Sequence, residues 1–188
     1  MDEDGLRELW RRGARAELVT GVLGLYGREI LSYLLATLRG EGEAGDAFSQ
    51  FTLNLWQASE GFRGESSFRT WAYALARHAA GRIIRERGRQ RRQIPLSQVP
   101  EIDALAARVR SETRDHLKSE TRDQVRRLRE ELDPDDQALL ILRIDRGFAW
   151  PDVARILGED DVDLPRKIVS LRKRFERLKD RLRKATRG

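Results

Sequence analysis

Cysteine is absent from this sequence of 188 residues, and histidine occurs only twice, at His78 and His116. The absence of cysteine excludes disulfides, thiolate metal sites and cysteine nucleophiles together. Two histidines far apart in the sequence do not fit a zinc site, because a structural zinc ion takes four protein ligands, usually cysteine or histidine. We therefore predict neither a metal nor a cofactor.

Long apolar runs are also missing. No stretch approaches the length of about 20 residues that a membrane-spanning helix needs. The first residues, MDEDGLRELW, are acidic and lack the apolar segment of a signal peptide. The sequence therefore predicts a cytoplasmic protein without membrane insertion.

Catalytic patterns are scarce. No glycine-rich loop has the spacing that cradles phosphates. The grouped carboxylates lie at predicted helix starts and turns, where capping explains them: Asp133, Asp135, Asp136, Asp160 and Asp161. We therefore predict that the protein is not an enzyme.

Positive charge is what the sequence has in excess. It contains 37 lysine and arginine residues against 31 acidic ones, for a net charge of +6. The arginines concentrate after residue 82 and again after residue 165, and clustered basic charge favours a polyanion such as nucleic acid. The alternative for the charge alone is an arginine-rich surface that is only solvated.

Helical spacing of apolar residues predicts an all-α protein of two small helical domains joined by a linker. We expect helices over residues 3–39 and 44–58, then a break with Pro95 and Pro100. The predicted divisions are 1–92 for the first domain, 93–124 for a partly helical linker, and 125–188 for the second domain.

The stretch 62–92 is the most informative part of the first domain. A loop with Gly61 and Gly64 leads to Ser66 or Ser67, either of which can cap a helix. The predicted apolar stripe is Phe68, Trp71, Leu75, Ala79 and Ile83, and the opposite face carries Arg69, Tyr73 and Arg77. We predict that the stripe is buried and that the other face contacts nucleic acid through guanidinium, aromatic and hydroxyl groups.

The second domain has the pattern of a helix-turn-helix. Asp133 and Pro134 mark a helix start, and a helix is expected over 134–145. A short helix then begins at Trp150, Gly158 turns the chain, and a longer basic helix follows Asp163. Its predicted apolar members are Ile168, Leu171, Phe175, Leu178 and Leu182. The alternative is an ordinary helical hairpin with a solvated basic face.

Taken together, these segments resemble a bacterial RNA polymerase sigma factor of the extracytoplasmic-function type within the sigma-70 family. Residues 44–56, AGDAFSQFTLNLW, resemble the polymerase-binding helix of the second conserved region. Residues 62–85 resemble the segment that melts the promoter and reads its minus-ten element, although His78 replaces the usual asparagine. Residues 128–182 resemble the fourth region, a helix-turn-helix that reads the minus-thirty-five element.

The resemblance implies a function and a set of contacts. The chain would bind core RNA polymerase, direct promoter-specific transcription initiation and help to melt DNA. The implied polymerase contacts are Asp46, Gln50, Phe51, Asn54, Leu55 and Trp56. The implied minus-ten contacts are Arg63, Ser66, Ser67, Arg69, Thr70, Trp71, Tyr73, Arg77, His78, Arg82 and Arg85, of which Trp71 could instead be core. The implied minus-thirty-five contacts are Arg166, Lys167, Ser170, Lys173 and Arg174.

Two other functions stay open on the sequence. One is a helix-turn-helix transcriptional regulator that binds duplex DNA without core polymerase. The other is a helical adaptor that binds only protein. Members of the resembled family are commonly held by an anti-sigma factor, although no residue of this sequence identifies one.

Overall fold

The structure of the protein is a computed structural model that describes residues 1–38, 40–86, 132–158 and 163–185. The secondary structure of these ranges consists of helices and turns, which confirms the predicted all-α class. The chain divides into two compact units, unit 1 over Met1–Lys118 and unit 2 over Ser119–Gly188. The predicted linker falls outside the described residues, so the domain bounds 1–92, 93–124 and 125–188 stay predictions.

The described residues of unit 1 form four α-helices: α1 (Glu3–Arg11), α2 (Arg15–Thr37), α3 (Glu41–Ala58) and α4 (Phe68–Glu86). A 3₁₀ turn over Ser59–Gly61 follows α3. The prediction of one helix over 3–39 is wrong, because the chain breaks between α1 and α2 at Gly13, whose φ is 66°. Glycine adopts this left-handed conformation without the steric cost that a side chain would bring.

Helix α2 is central to the core of unit 1. Val22, Ile30 and Leu34 are fully buried. Among the described residues, α2 is the one helix long and apolar enough to cross a membrane, contrary to the expectation that no stretch reaches this length. However, 56% of its most apolar window is buried inside unit 1, as in the core helix of a small bundle.

Helix α4 packs with a different face from the one predicted. Phe68 and Ala79 are buried as expected, but Trp71, Leu75 and Ile83 are only half-buried. The remaining buried positions are Thr70, Ala72, Tyr73, Ala76 and Ala80. Alanine side chains let neighbouring helices approach closely, so the helix turns its alanine-rich side towards the core and leaves the larger aliphatic residues at the edge.

Unit 2 contains α5 (Pro134–Leu140), α6 (Trp150–Ile156) and α7 (Leu164–Ala185). A π-helical turn over Ile141–Asp145 continues α5, so the helix expected over 134–145 changes its winding within that range. The small core contains Leu139, Leu142, Val153 and Ile156, none of them exposed, together with the buried residues Leu171, Phe175 and Leu178 of α7. Ile168 and Leu182 of the predicted stripe are half-buried at its ends.

Candidate nucleic-acid interface

The loop between the 3₁₀ turn and α4 rests on a cluster of aromatic rings. The ring of Phe62 lies 4.7 Å from Phe68, 4.7 Å from Trp71 and 5.5 Å from Trp10, measured between centroids. Gly64 has a φ of 71°, and a Cβ built there would lie 3.0 Å from Cη2 of Trp10. The inner side of the loop is therefore fixed by aromatic packing, while Arg63 on its outer side is exposed.

Ser67 caps α4, which confirms one of the two predicted caps. Its hydroxyl oxygen accepts a hydrogen bond from the Thr70 N–H at 3.0 Å and donates to the Thr70 hydroxyl at 2.9 Å. Thr70 is only 2% exposed. The predicted contact between Thr70 and DNA does not fit this placement, because the side chain is inside unit 1 and already bonded to the cap.

Arg69 and Tyr73, two further predicted DNA contacts, are turned towards the interior of unit 1. Arg69 donates from Nε to Glu29 at 3.0 Å and forms a closer contact through its Nη2, and the Tyr73 hydroxyl donates to the same carboxylate at 3.0 Å. Tyr73 is fully buried, and its ring lies 5.2 Å from that of Tyr33. The predicted DNA contact of Tyr73 does not fit this placement. The residue belongs to the core, where Glu29 on α2 accepts the hydrogen bond of its hydroxyl.

The electrostatics of Arg69 support this structural role. Burial opposes the charge of its guanidinium, but the hydrogen bond and the attraction from Glu29 prevail and raise the pKa of Arg69. An arginine held in this way on a partly buried carboxylate has little freedom to reach a phosphate. Arg69 therefore positions α4 on α2 in this structure.

The remaining predicted minus-ten residues lie along the outer side of α4 and its loop. His78 and Arg85 are exposed, and Ser66, Arg77 and Arg82 are half-buried. Arg82 donates to Glu86 at 2.8 Å and contacts Gln50 of α3 at 3.4 Å. Trp71 is half-buried against Phe62 and Phe68, so both alternatives for it, core packing and base stacking, stay open.

The predicted polymerase-binding residues of α3 separate into two groups. Asp46 is exposed, and Gln50 and Asn54 are half-buried and joined by a hydrogen bond of 2.8 Å. Phe51 and Leu55 are fully buried. The predicted polymerase contacts of Phe51 and Leu55 do not fit this placement, because both side chains belong to the core of unit 1.

Trp56, the last residue of that prediction, is half-buried beneath Arg15. The guanidinium carbon of Arg15 lies 4.3 Å from the centroid of the indole ring, and its Nη2 donates to the Trp56 carbonyl at 2.5 Å. Arg15 also donates to the Ser59 hydroxyl at 3.0 Å. Sequence reasoning missed this arginine, because its position at the start of α2 gives no indication of a partner 41 residues away.

In unit 2, one arginine on the basic face of α7 is bonded to carboxylates of the same unit and is not available to DNA. Arg174 donates from Nε to Asp136 at 2.5 Å and from Nη2 to Asp133 at 3.1 Å. Burial opposes its charge, but these carboxylates raise the pKa of Arg174. The predicted DNA contact of Arg174 does not fit this placement, because the residue joins α7 to the start of α5.

Exposed polar side chains of α7, most of them cations, form a stripe along the helix. Arg166, Ser170 and Lys173 are exposed and recur at spacings of four and three, which places them on one helix face. Arg177 continues that spacing, although it was not among the predicted contacts. Lys167 is half-buried, and its Nζ lies 2.8 Å from a Cβ built on Gly158. We call Arg166, Ser170, Lys173 and Arg177 the α7 stripe.

Val169 is a second residue that the sequence prediction missed. It is 52% exposed although it is apolar, and it precedes Ser170 in the N-terminal half of α7. Apolar periodicity could have found it, because Val169 is the one aliphatic residue of this turn that does not continue the buried pattern of Leu171, Phe175 and Leu178. An exposed valine among cations is able to contact an apolar group such as a thymine methyl.

The described residues contain no group of histidine, aspartate and glutamate side chains arranged to hold a metal ion. Each unit has its own candidate surface. Unit 1 presents the loop and a row of cations on α4, and unit 2 presents the α7 stripe.

Comparison with known proteins finds one matching family and several similar proteins. The family described as Sigma-70 region 2 matches residues 23–90, which contain the loop and α4. The ECF RNA polymerase sigma factor SigG of Mycobacterium tuberculosis is 34% identical over 70 residues, 37% of this chain and 18% of that protein. The RNA polymerase sigma-H factor of Pseudomonas aeruginosa is 27% identical over 139 residues, 70% of each chain. The chain thus aligns with less than a fifth of SigG but with over two thirds of sigma-H.

Proposed function

We propose, given that this chain belongs to the extracytoplasmic-function type of the sigma-70 family, that it binds core RNA polymerase and directs promoter-specific transcription initiation. The chain would read the minus-ten and minus-thirty-five elements of a promoter and help to open the DNA between them and the start site. The family relation supports the general role, and the individual contacts are our inference from the surfaces described above.

The observation that carries the proposal is the junction of the loop with α4. The matched segment 23–90 contains a loop whose inner side is packed on aromatic rings and whose outer side carries Arg63. His78 and Arg85 continue the exposed positive charge along α4. A rigid loop beside a cationic row suits a single DNA strand, because one base can leave the stack while phosphates contact the cations.

The proposed minus-ten contacts are accordingly revised. We retain Arg63, Ser66, Arg77, His78, Arg82 and Arg85 as DNA contacts, with Trp71 as a candidate for base stacking. Ser67, Arg69, Thr70 and Tyr73 hold the loop and α4 in place. This division follows from burial and hydrogen bonding, since a side chain with its polar atoms already engaged in the core gains little from a DNA partner.

The α7 stripe is the proposed minus-thirty-five surface. Arginine and lysine side chains in a recognition helix pair with guanine edges or hold phosphates. We propose that Arg166, Ser170 and Lys173 enter the major groove, that Val169 contacts a thymine methyl group, and that Arg177 binds a phosphate at the edge of the groove. Lys167 stays a candidate contact near the turn.

Core polymerase would bind the outer side of α3. Asp46 is exposed there, and Gln50, Asn54 and Trp56 are accessible in part. Phe51 and Leu55 would support this surface from inside. The proposed role involves no catalysis by the chain, because opening is driven by stronger binding to open than to closed DNA. The polymerase partner implies a cytoplasmic location, and the anti-sigma factor stays a prediction of the resemblance.

Transcription in vitro tests the proposal. Purified chain and core RNA polymerase are incubated with a library of genomic fragments, and transcript starts are mapped. We expect transcripts from a limited set of promoters that disappear when the chain is left out. Core polymerase that neither binds the chain nor gains new starts would overturn the proposal.

A paired variant examines the α4 surface. His78→Ala combined with Arg85→Ala should lower promoter opening, measured by permanganate reactivity of unpaired thymines, by more than it lowers binding to core polymerase. The matched control is Arg7→Ala, an exposed cation of α1. Equal losses of opening and of polymerase binding would mean that this face supports the fold and not the DNA.

A further inference from the structure

We propose that helix α1 is a brace that sets the position of loop 62–67, with Glu3 and Trp10 as its two positioning residues. This inference rests on the proposed function, because it takes the loop to be the element that holds a base extruded from the DNA. It concerns residues that precede the matched segment 23–90.

Glu3 holds the end of the loop where α4 begins. Its carboxylate accepts hydrogen bonds from the backbone N–H of Phe68 at 3.2 Å and of Arg69 at 3.1 Å. The first N–H groups of a helix have no partner within the helix, and negative charge is favoured at this end. Ser67 satisfies the N–H of Thr70. A residue 65 positions away therefore completes a cap that the loop begins.

Glu3 is itself held in place. The Tyr26 hydroxyl donates to its carboxylate at 2.6 Å, and partial burial together with this bond raises the pKa of Tyr26. Helix α1 is fixed on α2 by Leu6, which is fully buried. The Cδ2 atom of Leu6 lies 2.7 Å from a Cβ built on Gly21, so a larger residue at that position would force the Leu6 side chain to shift.

Trp10 holds the middle of the loop. Its ring lies against Gly64, where a Cβ would be 3.0 Å away, and meets Phe62 edge-on at 5.5 Å. Gly64 has a φ of 71°, a conformation that glycine adopts readily and other residues rarely do. One short helix thus contacts both the turn of the loop and its exit into α4.

Such double fixation matters more for base capture than for the fold. A loop that binds an extruded base must present its donors and ring faces within a fraction of an ångström, and neighbouring residues normally provide that precision. The core of unit 1 lies mainly between α2, α3 and α4. The loop, in contrast, takes its contacts from α1 and from the first turn of α4.

The test measures base capture separately from general binding. Holoenzyme assembled from core polymerase and wild-type chain selects a sequence from a randomised single-stranded DNA pool. Each base of the selected strand is then replaced in turn by an abasic residue. We expect one or two positions at which the abasic strand binds about five- to 150-fold more weakly, which corresponds to the loss of one stacked base.

Glu3→Gln is the main variant, because it keeps the size of the side chain but turns an amide NH₂ towards the N–H groups of α4. We expect the abasic penalty at the captured base to fall below about threefold while affinity for the abasic strand is unchanged. The matched control is Glu8→Gln on the same helix, whose side chain is 60% exposed. It should keep the full penalty.

Trp10 supplies a second pair of variants in case Glu3→Gln folds poorly. Trp10→Ala should reduce the abasic penalty and Trp10→Phe should restore part of it, with amide hydrogen exchange at Phe68 and Arg69 faster in the first than in the second. Variants that retain the full penalty, or that weaken base-bearing and abasic strands equally, would overturn the brace. A wild-type holoenzyme without any base-dependent position would overturn the proposed function itself, and the brace with it.

Discussion

Two basic helices of the described part of the chain, α4 in unit 1 and α7 in unit 2, present their cations in different settings. Helix α4 packs along its alanine-rich side on α2 and α3, and its N-terminus is capped by Ser67 and Glu3. Helix α7 contacts a much smaller core through Leu171, Phe175 and Leu178, and its first turns carry no fully buried side chain. The first surface is built into a bundle, whereas the second is one face of a helix resting on a small support.

The two helices nevertheless share one device. Each uses an arginine of its basic face to hold the helix in place: Arg69 binds Glu29 of α2, and Arg174 binds Asp133 and Asp136 at the start of α5. In both cases an acidic side chain from another element decides which arginine is internal. Charge along a helix therefore does not by itself identify the residues available to DNA.

The largest effect is expected when the internal acid of unit 1 is removed. Glu29→Ala takes away the acceptor of both Arg69 and Tyr73, in a setting where the two charged side chains are 31% and 22% exposed. We expect unit 1 to lose about 3 kcal/mol of unfolding free energy. Hydrogen exchange measured by mass spectrometry on α2 and α4 peptides during urea unfolding reads this loss separately from unit 2.

Glu17→Ala is the matched control for that change, because Glu17 is an exposed acid on the same helix. It should alter stability by no more than about 0.5 kcal/mol. Similar losses for the two variants would show that the carboxylate of Glu29 has no special role in unit 1.

A smaller effect is expected for the corresponding pair in unit 2. Arg174→Met leaves Asp136, whose side chain is 11% exposed, with Arg181 at 3.5 Å as its remaining ion-pair partner among the described contacts. We expect unit 2 to lose about 2 kcal/mol, the value of hydrogen bonds to a charged group. Arg177→Met lies one turn further along α7 and should leave stability nearly unchanged. Hydrogen exchange of α5 peptides distinguishes the two, and equal exchange would contradict the assignment of Arg174.

Much of this fold is encoded locally and could be predicted from the sequence. The helix starts at Asp133 and Ser67 follow from the hydrogen-bonding capacity of their own side chains, and both caps are observed. The buried pattern of α7 was also predicted in its centre, at Leu171, Phe175 and Leu178, because regular apolar spacing over three turns leaves one face to bury.

The inward face of α4 could not be predicted in the same way. Its large apolar residues suggested one stripe, but the buried face is rich in alanine and includes Tyr73. The position of Tyr73 depends on Glu29, which is 44 residues away in the sequence. Likewise Glu3 and Trp10 carry no periodic pattern that points to the loop. These contacts arise only when helices are packed together, and a single sequence contains no direct record of that packing.

A smaller and purely electrostatic effect separates exposed from internal cations of α7. Lys173→Ala should weaken binding to any duplex DNA and lower the slope of log affinity against log salt by about 1, because one phosphate contact is lost. Arg174→Met, measured at a temperature where it is folded, should leave that slope unchanged. Salt titrations of fluorescence anisotropy provide the measurement. A slope lowered equally by the two variants would place Arg174 on the DNA surface.

The smallest effect is that of pH on stability. It should change the stability of unit 2 at acid pH and that of unit 1 at alkaline pH. In unit 2, burial works against the charge of Asp133, but the N–H of Asp136 and the guanidinium of Arg174 prevail and lower its pKa. A lowered pKa in the folded state gives stability above the unfolded value of about 3.9 that is lost as pH falls through the folded value. In unit 1, the raised pKa of Tyr26 gives stability that is complete below about 10 and declines as pH rises.

Removing each titrating group tests this contrast. Asp133→Asn should flatten the acid side of the stability profile for α5 peptides only, and Tyr26→Phe should flatten the alkaline side for α1 and α4 peptides only. The effects are small because the side chain of Asp133 is 56% exposed and solvent screens its interactions. If Tyr26→Phe leaves the alkaline profile of α4 unchanged, the bond from Tyr26 to Glu3 does not contribute to the stability of the cap.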